Sequence, residues 1–457
     1  MAFLVLGANS VSGYTVKNSL RFNSGSSDYL NRTPASNGNQ RTWTYSCWFK
    51  YSELTNSASN TLFFIANGST IEGGIRIVGS SGAGDYNKIN FYFYDSAYII
   101  NNFTTTQLFR DPSAWYHLVL AVDTTQATST NRVKFYINGS QVTAFDTTGY
   151  PTQNADTRVN TTVPHYIGTQ VNQRYFGGYM SEVYMIDGTA LTPSSFGETD
   201  TDTGIWKPKA YTGTYGTNGF YLKFANSASL GTDSSGNGNT FTVNNLTSVD
   251  QTTDTPTNNF CTINSVAVNT ANIPTMTDGN LTALSTTGSD AALLGTIAIG
   301  SGKWYYEAKC ISGTLGDRVL KLGWANPDKS PQNQFQASIV YRNSDGNKYI
   351  DNSGSAYGAT YTDGDIIGVA LDISGGTVTF YKNGTTQGTI TISGALDDGT
   401  FYIPYGDIGN TDKVTFNFGN PPYSANSYTD SAGFGNFSYQ PPANYFALCT
   451  KNLAQYG

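Results

Sequence analysis

The chain is written in short stretches that alternate apolar and polar residues with period two. Each stretch is about four to eight residues long and ends at Gly, Asn, Asp or Ser. The clearest are 43–50, 89–94, 116–122, 133–137, 303–310, 366–372 and 377–381. This is the pattern of strands joined by tight turns, and it predicts an all-β chain built from antiparallel sandwiches. Composition supports it. Only five acidic residues are glutamate (Glu53, Glu72, Glu182, Glu198 and Glu307), so 32 − 5 leaves 27 aspartates. Aspartate, with the 49 glycines, favours turns and caps over helix interiors. The best helical signal is a short turn at 192–196, with Thr192 as cap and Pro193 in the first helical position.

The chain also echoes itself. Val133-Lys134-Phe135-Tyr136-Ile137-Asn138-Gly139 is answered by Val378-Thr379-Phe380-Tyr381-Lys382-Asn383-Gly384. Asn-Gly is the dipeptide that best accepts the two positive φ values of a type I′ hairpin. A matching strand ending in Asp123 or Asp372 precedes each copy. The spacing is far too long for a solenoid repeat, so two related sandwiches are expected. The boundaries read as an N-terminal segment 1–14, a first sandwich 15–199, an ordered bridge 200–262, a second sandwich 263–431 and a tail 432–457. The tail holds Phe434, Phe437, Tyr445, Phe446 and Leu448, too apolar to lie free in water, so its own domain or a partner surface must cover it.

A net charge of −7 argues against a nucleic-acid partner, which would require a basic stripe. No apolar run approaches the roughly 18 residues of a membrane helix, so no membrane insertion is expected. The N-terminus lacks the basic region of a signal peptide. Four cysteines stand at 47, 261, 310 and 449, too far apart for a metal or redox pair. Cys47 and Cys310 alternate with core-facing neighbours and read as small apolar residues; whether Cys261 and Cys449 pair is left open.

Catalytic signatures are missing. Sandwich glycosidases place two carboxyl groups on one face of one strand, and no glutamate has another within reach. Glu182 and Asp187 are five apart, which sends them to opposite faces of a regular strand. Glu307 stands alone and reads as exposed or structural. His117 and His165 are the only histidines, and His117 reads as a strand residue satisfied by its neighbours. No catalytic residue is assigned and no cofactor is implied. Calcium is the one metal to consider, since Asp/Asn-rich turns supply oxygen ligands. Asp233, Asn237 and Asn239 form the best cluster, followed by Asp200 with Asp202 and Asp363 with Asp365; the same residues are also plain turn formers. For sugar stacking, loop-tip tyrosines 86, 98, 150, 175, 357 and 361 are the candidates.

The stretch Trp115-Tyr-His-Leu-Val-Leu-Ala-Val-Asp123 leads into the first Asn-Gly hairpin. With Tyr166-Ile-Gly168 and Phe176-Gly-Gly-Tyr-Met-Ser-Glu-Val-Tyr-Met-Ile-Asp187, it resembles a laminin-G-like domain of the concanavalin A-like superfamily, over about 15–198. Gly302-Lys-Trp-Tyr-Tyr-Glu307, Leu322-Gly-Trp-Ala325, Gly364–Asp372, the second hairpin and Val414-Thr-Phe-Asn-Phe-Gly419 resemble a SPRY domain, over about 263–422. The tandem, closed by Phe446-Ala-Leu-Cys-Thr-Lys-Asn-Leu453, is similar to structural proteins of tailed phages, marine ones especially. The resemblance implies a non-enzymatic virion component (fibre, spike or head decoration) on the particle surface. It implies other virion proteins and a host-surface glycan or protein as partners, and a homo-oligomer, with a trimer as the guess. A polysaccharide-degrading virion enzyme and a secreted bacterial lectin are the alternatives.

Overall fold

In the computed structural model, the described residues are 13–54, 58, 60–79, 86–267, 273–285, 290–311, 320–329, 337–396, 401–409 and 412–457. The N-terminal stretch up to residue 12 lies outside them. They form two compact units, the first ending at Thr257 and the second beginning at Asn258.

The first unit is a sandwich of two eight-stranded sheets. One, the hairpin sheet, runs in the order Ser140–Gln141, Val133–Ile137, Trp115–Asp123, Thr42–Tyr51, Gly178–Asp187, Ser19–Phe22 and Gln251–Thr252, with Phe220–Leu222 also on Gly178–Asp187. The other runs Phe145–Thr147, Ala97–Leu108, Lys88–Asp95, Ile71–Ile77, Asn60–Asn67, His165–Ile167, Tyr29–Arg32 and Thr242–Asn244. All the pairings are antiparallel. Alternate residues such as Trp43, Tyr45, Cys47 and Phe49 meet Phe63, Phe91 and Phe93 from the other sheet in one core. The segment read as a bridge supplies short strands to both sheets of this unit. Phe220–Leu222 joins the hairpin sheet, and Thr242–Asn244 joins its partner.

The second unit repeats the plan. Its hairpin sheet orders Thr275–Thr277, Thr282–Leu284, Lys413–Asn417, Lys303–Ile311, Ile366–Asp372, Thr377–Lys382 and Thr385–Thr391, with Phe446–Ala447 parallel to Lys303–Ile311. The six-stranded partner orders Ala291–Leu294, Ile403–Ile408, Lys321–Ala325, Ser338–Arg342, Asn347–Ile350 and Ser353–Ala356. Trp304, Tyr306, Ala308 and Cys310 face its core with Trp324 and Phe416. All four cysteines are buried thiols and none is in a disulfide; burial pushes the Cys47 and Cys449 thiols up to about 12.

Both Asn-Gly turns have the expected geometry. Asn138 and Gly139 have φ of 47° and 81°, and Asn383 and Gly384 have 48° and 78°. The two asparagines act alike: Oδ1 of Asn138 accepts the amide of His117, and Oδ1 of Asn383 that of Ile366. An aromatic ring covers each glycine so closely that a Cβ would lie 2.6 Å from it, Trp206 in the first unit and Tyr439 in the second. The turn at 192–196 is a single 3-10 turn, Pro193–Ser195. A seven-residue helix, Thr450–Tyr456, was not anticipated. Its good helix formers Lys, Leu, Ala and Gln occupy less than two turns, too few for a periodic signal, and burial of Asn452 and Leu453 holds it.

Each hairpin sheet is apolar on its outer face as well, so later chain must cover it. In the first unit Val119, Ala121, Tyr136, Tyr184 and Ile186 are covered by Phe196, Tyr211 and Tyr215. In the second, Tyr305 and Ala370 are covered by Phe434, Phe437, Tyr445 and Ala447 of the tail. A buried glutamate lies on each of these faces. Glu307, fully buried, accepts the amides of Ser438 and Tyr439 at 2.9 Å, Nδ2 of Asn417 at 3.0 Å and the Tyr305 hydroxyl at 3.3 Å. Asp430 extends the anchorage, accepting the amides of Ala432, Phe434 and Ala447 and Nδ2 of Asn452. The tail's rings are therefore satisfied within their own unit. Glu307→Gln keeps one carbonyl acceptor and sets an amide donor against one of the two main-chain N–H groups. It is expected to cost about 2–4 kcal/mol, read as a lower denaturation midpoint of the second unit. Deleting 432–457 uncovers the whole face and should abolish that unit's cooperative transition; an unchanged melting curve would contradict this account.

Candidate functional site

The outer face of the first unit's second sheet carries a row of aromatic side chains. In strand Lys88–Asp95, Phe91 and Phe93 point into the core, so Asn90, Tyr92 and Tyr94 face outward. Register then carries the row across the sheet. Tyr94 lies opposite Tyr98 on one side and Glu72 on the other, Tyr92 opposite Gly74, Gly74 opposite Phe64, and Phe64 opposite Tyr166. Tyr29 follows, its ring 6.4 Å from Tyr166 and 6.2 Å from Tyr175. Gly74 keeps the row tight, since a Cβ there would sit 2.7 Å from the Phe64 ring. Phe64 and Tyr92 are buried and form a floor, while Tyr98 stands 52% exposed. Tyr98 packs edge-on against both Tyr92 and Tyr94. Arg76 lies over the Tyr92 ring at 5.2 Å and donates to Asn90, and Glu72 accepts the Tyr92 hydroxyl. From Tyr98 to Tyr29 the row crosses six strands, roughly 24 Å.

Of the tyrosines expected at loop tips, Tyr98 and Tyr175 belong to this row. Tyr86 is exposed under Arg110, and Tyr150 packs on Phe103 at the sandwich edge. Tyr357 is half-buried and donates to the carbonyl of Gly388. Tyr361 is not at a tip: it is 3% exposed and donates to the carbonyls of Leu320 and Tyr341, which makes it a core residue. Loop-tip reasoning missed Tyr29, Phe64, Tyr92, Tyr94 and Tyr166. The available signal was a strand with aromatics on both of its faces.

The histidines are structural. His117 is stacked on Trp48 at 4.9 Å and on Trp206 at 6.0 Å. Trp206 Nε1–H donates to its Nδ1 at 3.0 Å, so the ring proton sits on Nε2 and goes to Ser46 Oγ at 2.9 Å. Burial holds His117 at about 3. His165 donates from Nδ1 to Val163 O and accepts the Asn160 amide at Nε2, and burial holds it at about 4.

Glu182 and Asp187 serve different partners, whereas Asp290 and Asp407 meet on the buried Lys321 amine. Glu182 sits at a bulge with φ of 50° and accepts the hydroxyls of Tyr14, Tyr184 and Tyr221 at 2.9, 2.5 and 2.6 Å. Asp187 instead accepts the amides of Asn39 and Asn218. Glu307, one of the residues read as exposed or structural, is the buried anchor described above. Burial raises both Glu182 and Glu307 above the ordinary carboxylate range.

The turn singled out for calcium is held by its own side chains. Asp233 Oδ1 accepts the amides of Tyr221 and Ser235, and Oδ2 accepts Ser235 Oγ–H and the amide of Asn239. Nδ2 of Asn237 donates to the carbonyls of Gly216 and Gly219, and Nδ2 of Asn239 to those of Thr217 and Gly219. These are the oxygens a hard cation would need. Arg32 already holds Asn239 Oδ1, at 2.6 Å. Asp200 pairs with Lys207, and Asp365 with Lys382. Among the described residues no group of three or more His, Cys, Asp or Glu is placed to hold a metal.

Two outcomes follow. In an NMR titration both imidazoles should still be neutral at pH 5, where an exposed histidine is mostly protonated. A depressed histidine contributes stability that is complete above its unfolded pKa near 6.5 and lost as pH falls towards 3. For His117 the loss is on the order of 4 kcal/mol. A midpoint near 6.5 would contradict the stacked geometry. Asp233→Ala should cost about 2–4 kcal/mol, with calcium and chelator giving the same melting temperature for wild type.

Residues 24–195 match the family model of the concanavalin A-like lectin/glucanases superfamily, and residues 303–421 match that of the SPRY domain. Among solved structures, the SPRY domain of human HERC1 is 18% identical, the match covering 34% of this chain and 96% of that one with a TM-score of 0.30. Another human SPRY domain is 19% identical over 30% of this chain and 90% of its own, with a TM-score of 0.24. Stonustoxin is 17% identical over 34% of this chain and 27% of its own, with a TM-score of 0.27. The chain thus carries a laminin-G-like domain of the concanavalin A-like type and a SPRY domain in tandem.

Proposed function

We propose that this protein is a non-enzymatic adhesion component of a phage virion, and that the aromatic outer face of its first sandwich binds a host-surface glycan. The observation that carries the binding role is the row of accessible rings Tyr98, Tyr94, Tyr166 and Tyr29 over the buried floor of Tyr92 and Phe64. Aromatic rings offer flat apolar area to the C–H faces of sugars, and Glu72 and Arg76 beside them supply an acceptor and donors for hydroxyls. A row of roughly 24 Å suits an extended saccharide chain better than a single ring. The commitment of Glu182, Asp187 and Glu307 to structural hydrogen bonds, with both histidines buried and neutral, favours binding over hydrolysis. The virion placement draws on the likeness of the tandem and its closing segment to tailed-phage structural proteins. On that reading the protein sits on the particle surface as a fibre, spike or head decoration, among other virion proteins, as a homotrimer.

The test is a glycan array probed with the full chain, with and without calcium, beside Tyr98→Ala and Tyr94→Ala. A bound glycan should lose affinity by about tenfold or more in each variant, with the melting temperature held. Equal binding by the variants, or sugar released from a bound polysaccharide, would contradict the proposal.

A further inference from the structure

We propose that the rim of the first sandwich around Arg32 is a second site, specific for a sugar that carries a carboxylate, such as a hexuronic or sialic acid residue. It goes beyond the aromatic face and is separate from it. Arg32 shares the parity of the core residue Leu30, whereas Tyr29 and Asn31 face the other way.

The Arg32 guanidinium is held in place by neutral oxygens, donating to the Asn218 carbonyl at 3.1 Å and to Asn239 Oδ1 at 2.6 Å, with the Phe241 ring 5.9 Å away. Among the described residues no carboxylate forms an ion pair with it. Asp233, the acid that acts on it from further off, already accepts hydrogen bonds at both oxygens. Arg41, Arg158 and Arg342 each pair with an aspartate; Arg132 is held by three main-chain carbonyls, so it is the cavity over Arg32 that sets Arg32 apart. In a chain of net charge −7, a half-buried cation fixed without a counter-charge is a cost of folding. A carboxylate ligand arriving at the planar guanidinium would offset it, with two parallel hydrogen bonds.

The surroundings define the rest of the ligand. A cavity of about 460 Å³ opens over Arg32, lined among others by Ser36, Thr217, Thr240 and Thr242 with Asn239. Hydroxyls both donate and accept, so the lining matches a polyhydroxylated ring and not an acyl chain. One guanidinium matches one carboxylate.

The experiment is ligand-observed NMR titration of the full chain with a methyl galacturonide, a methyl sialoside, neutral methyl galactoside, acetate and inorganic phosphate. At least one acidic sugar should bind about tenfold or more tightly than galactoside and acetate. Arg32→Gln should remove that preference. Thr240→Trp, which fills the mouth from an exposed position and leaves the Arg32 hydrogen bonds alone, should weaken binding to the same degree, with a melting temperature lowered only by loss of the long 3.4 Å bond that Thr240 Oγ1 accepts from the Asp233 amide. Tyr98→Ala should leave it intact, which separates failure of this site from failure of the aromatic face. The assignment is overturned if acidic and neutral sugars bind alike, if acetate or phosphate binds as tightly as the sugars, or if acidic-sugar binding survives both rim variants.

Discussion

Everything in these two sandwiches depends on hairpin sheets that are buried on both faces. Strand Gly178–Asp187 is buried at all ten positions and Lys303–Ile311 at six of nine. A sheet of that kind cannot end a sandwich; its outer side must receive more chain. The covering chain has few regular hydrogen bonds of its own, so buried polar anchors hold it. Glu307 and Asp430 serve the second unit. In the first, Lys50 and Asp254 form a fully buried ion pair at 2.9 Å, and Trp115 also donates to Asp254. Burial of such groups costs several kcal/mol unless every oxygen is satisfied. These anchors therefore fix the location of the cover as much as they stabilise it.

The same requirement explains which parts of the architecture were legible in the sequence. Strands such as Val133–Ile137 and Ile366–Asp372, and both Asn-Gly turns, could be read because period two and positive φ are local properties of a few residues. The covers could not. Ala432 to Leu448 has no period, and its place depends on Glu307 about 130 positions earlier. Glu307 itself read as exposed or structural, and only the fold shows its partners. Within the bridge 200–262, the runs 220–224 and 241–243 read as strands, and strands form there at Phe220–Leu222 and Thr242–Asn244; what could not be read is that they complete the sheets of the first unit.

The candidate surfaces show a similar division. Alternation in Lys88–Asp95 puts Tyr92 and Tyr94 on one face, but only the register across Gly74 and Phe64 turns them into a row. The turn at Asp233 could be found from its Asp and Asn residues, yet the amides of Tyr221, Ser235 and Asn239 already hold its carboxylate. What stands out there is Arg32, 200 positions away, because its charge meets neutral oxygens. Sheets covered on one side leave their other faces and their rims for recognition, and both surfaces proposed for binding lie in such places.

The covering segments are integral layers of the sandwiches. Native-state hydrogen exchange at the amides of Ser438, Tyr439 and Ala447, compared with strand Lys303–Ile311, can show whether they are. These three amides should open with nearly the same free energy as the strand, in one cooperative unit. Exchange at the rate of a solvated loop while the strand stays protected would contradict it.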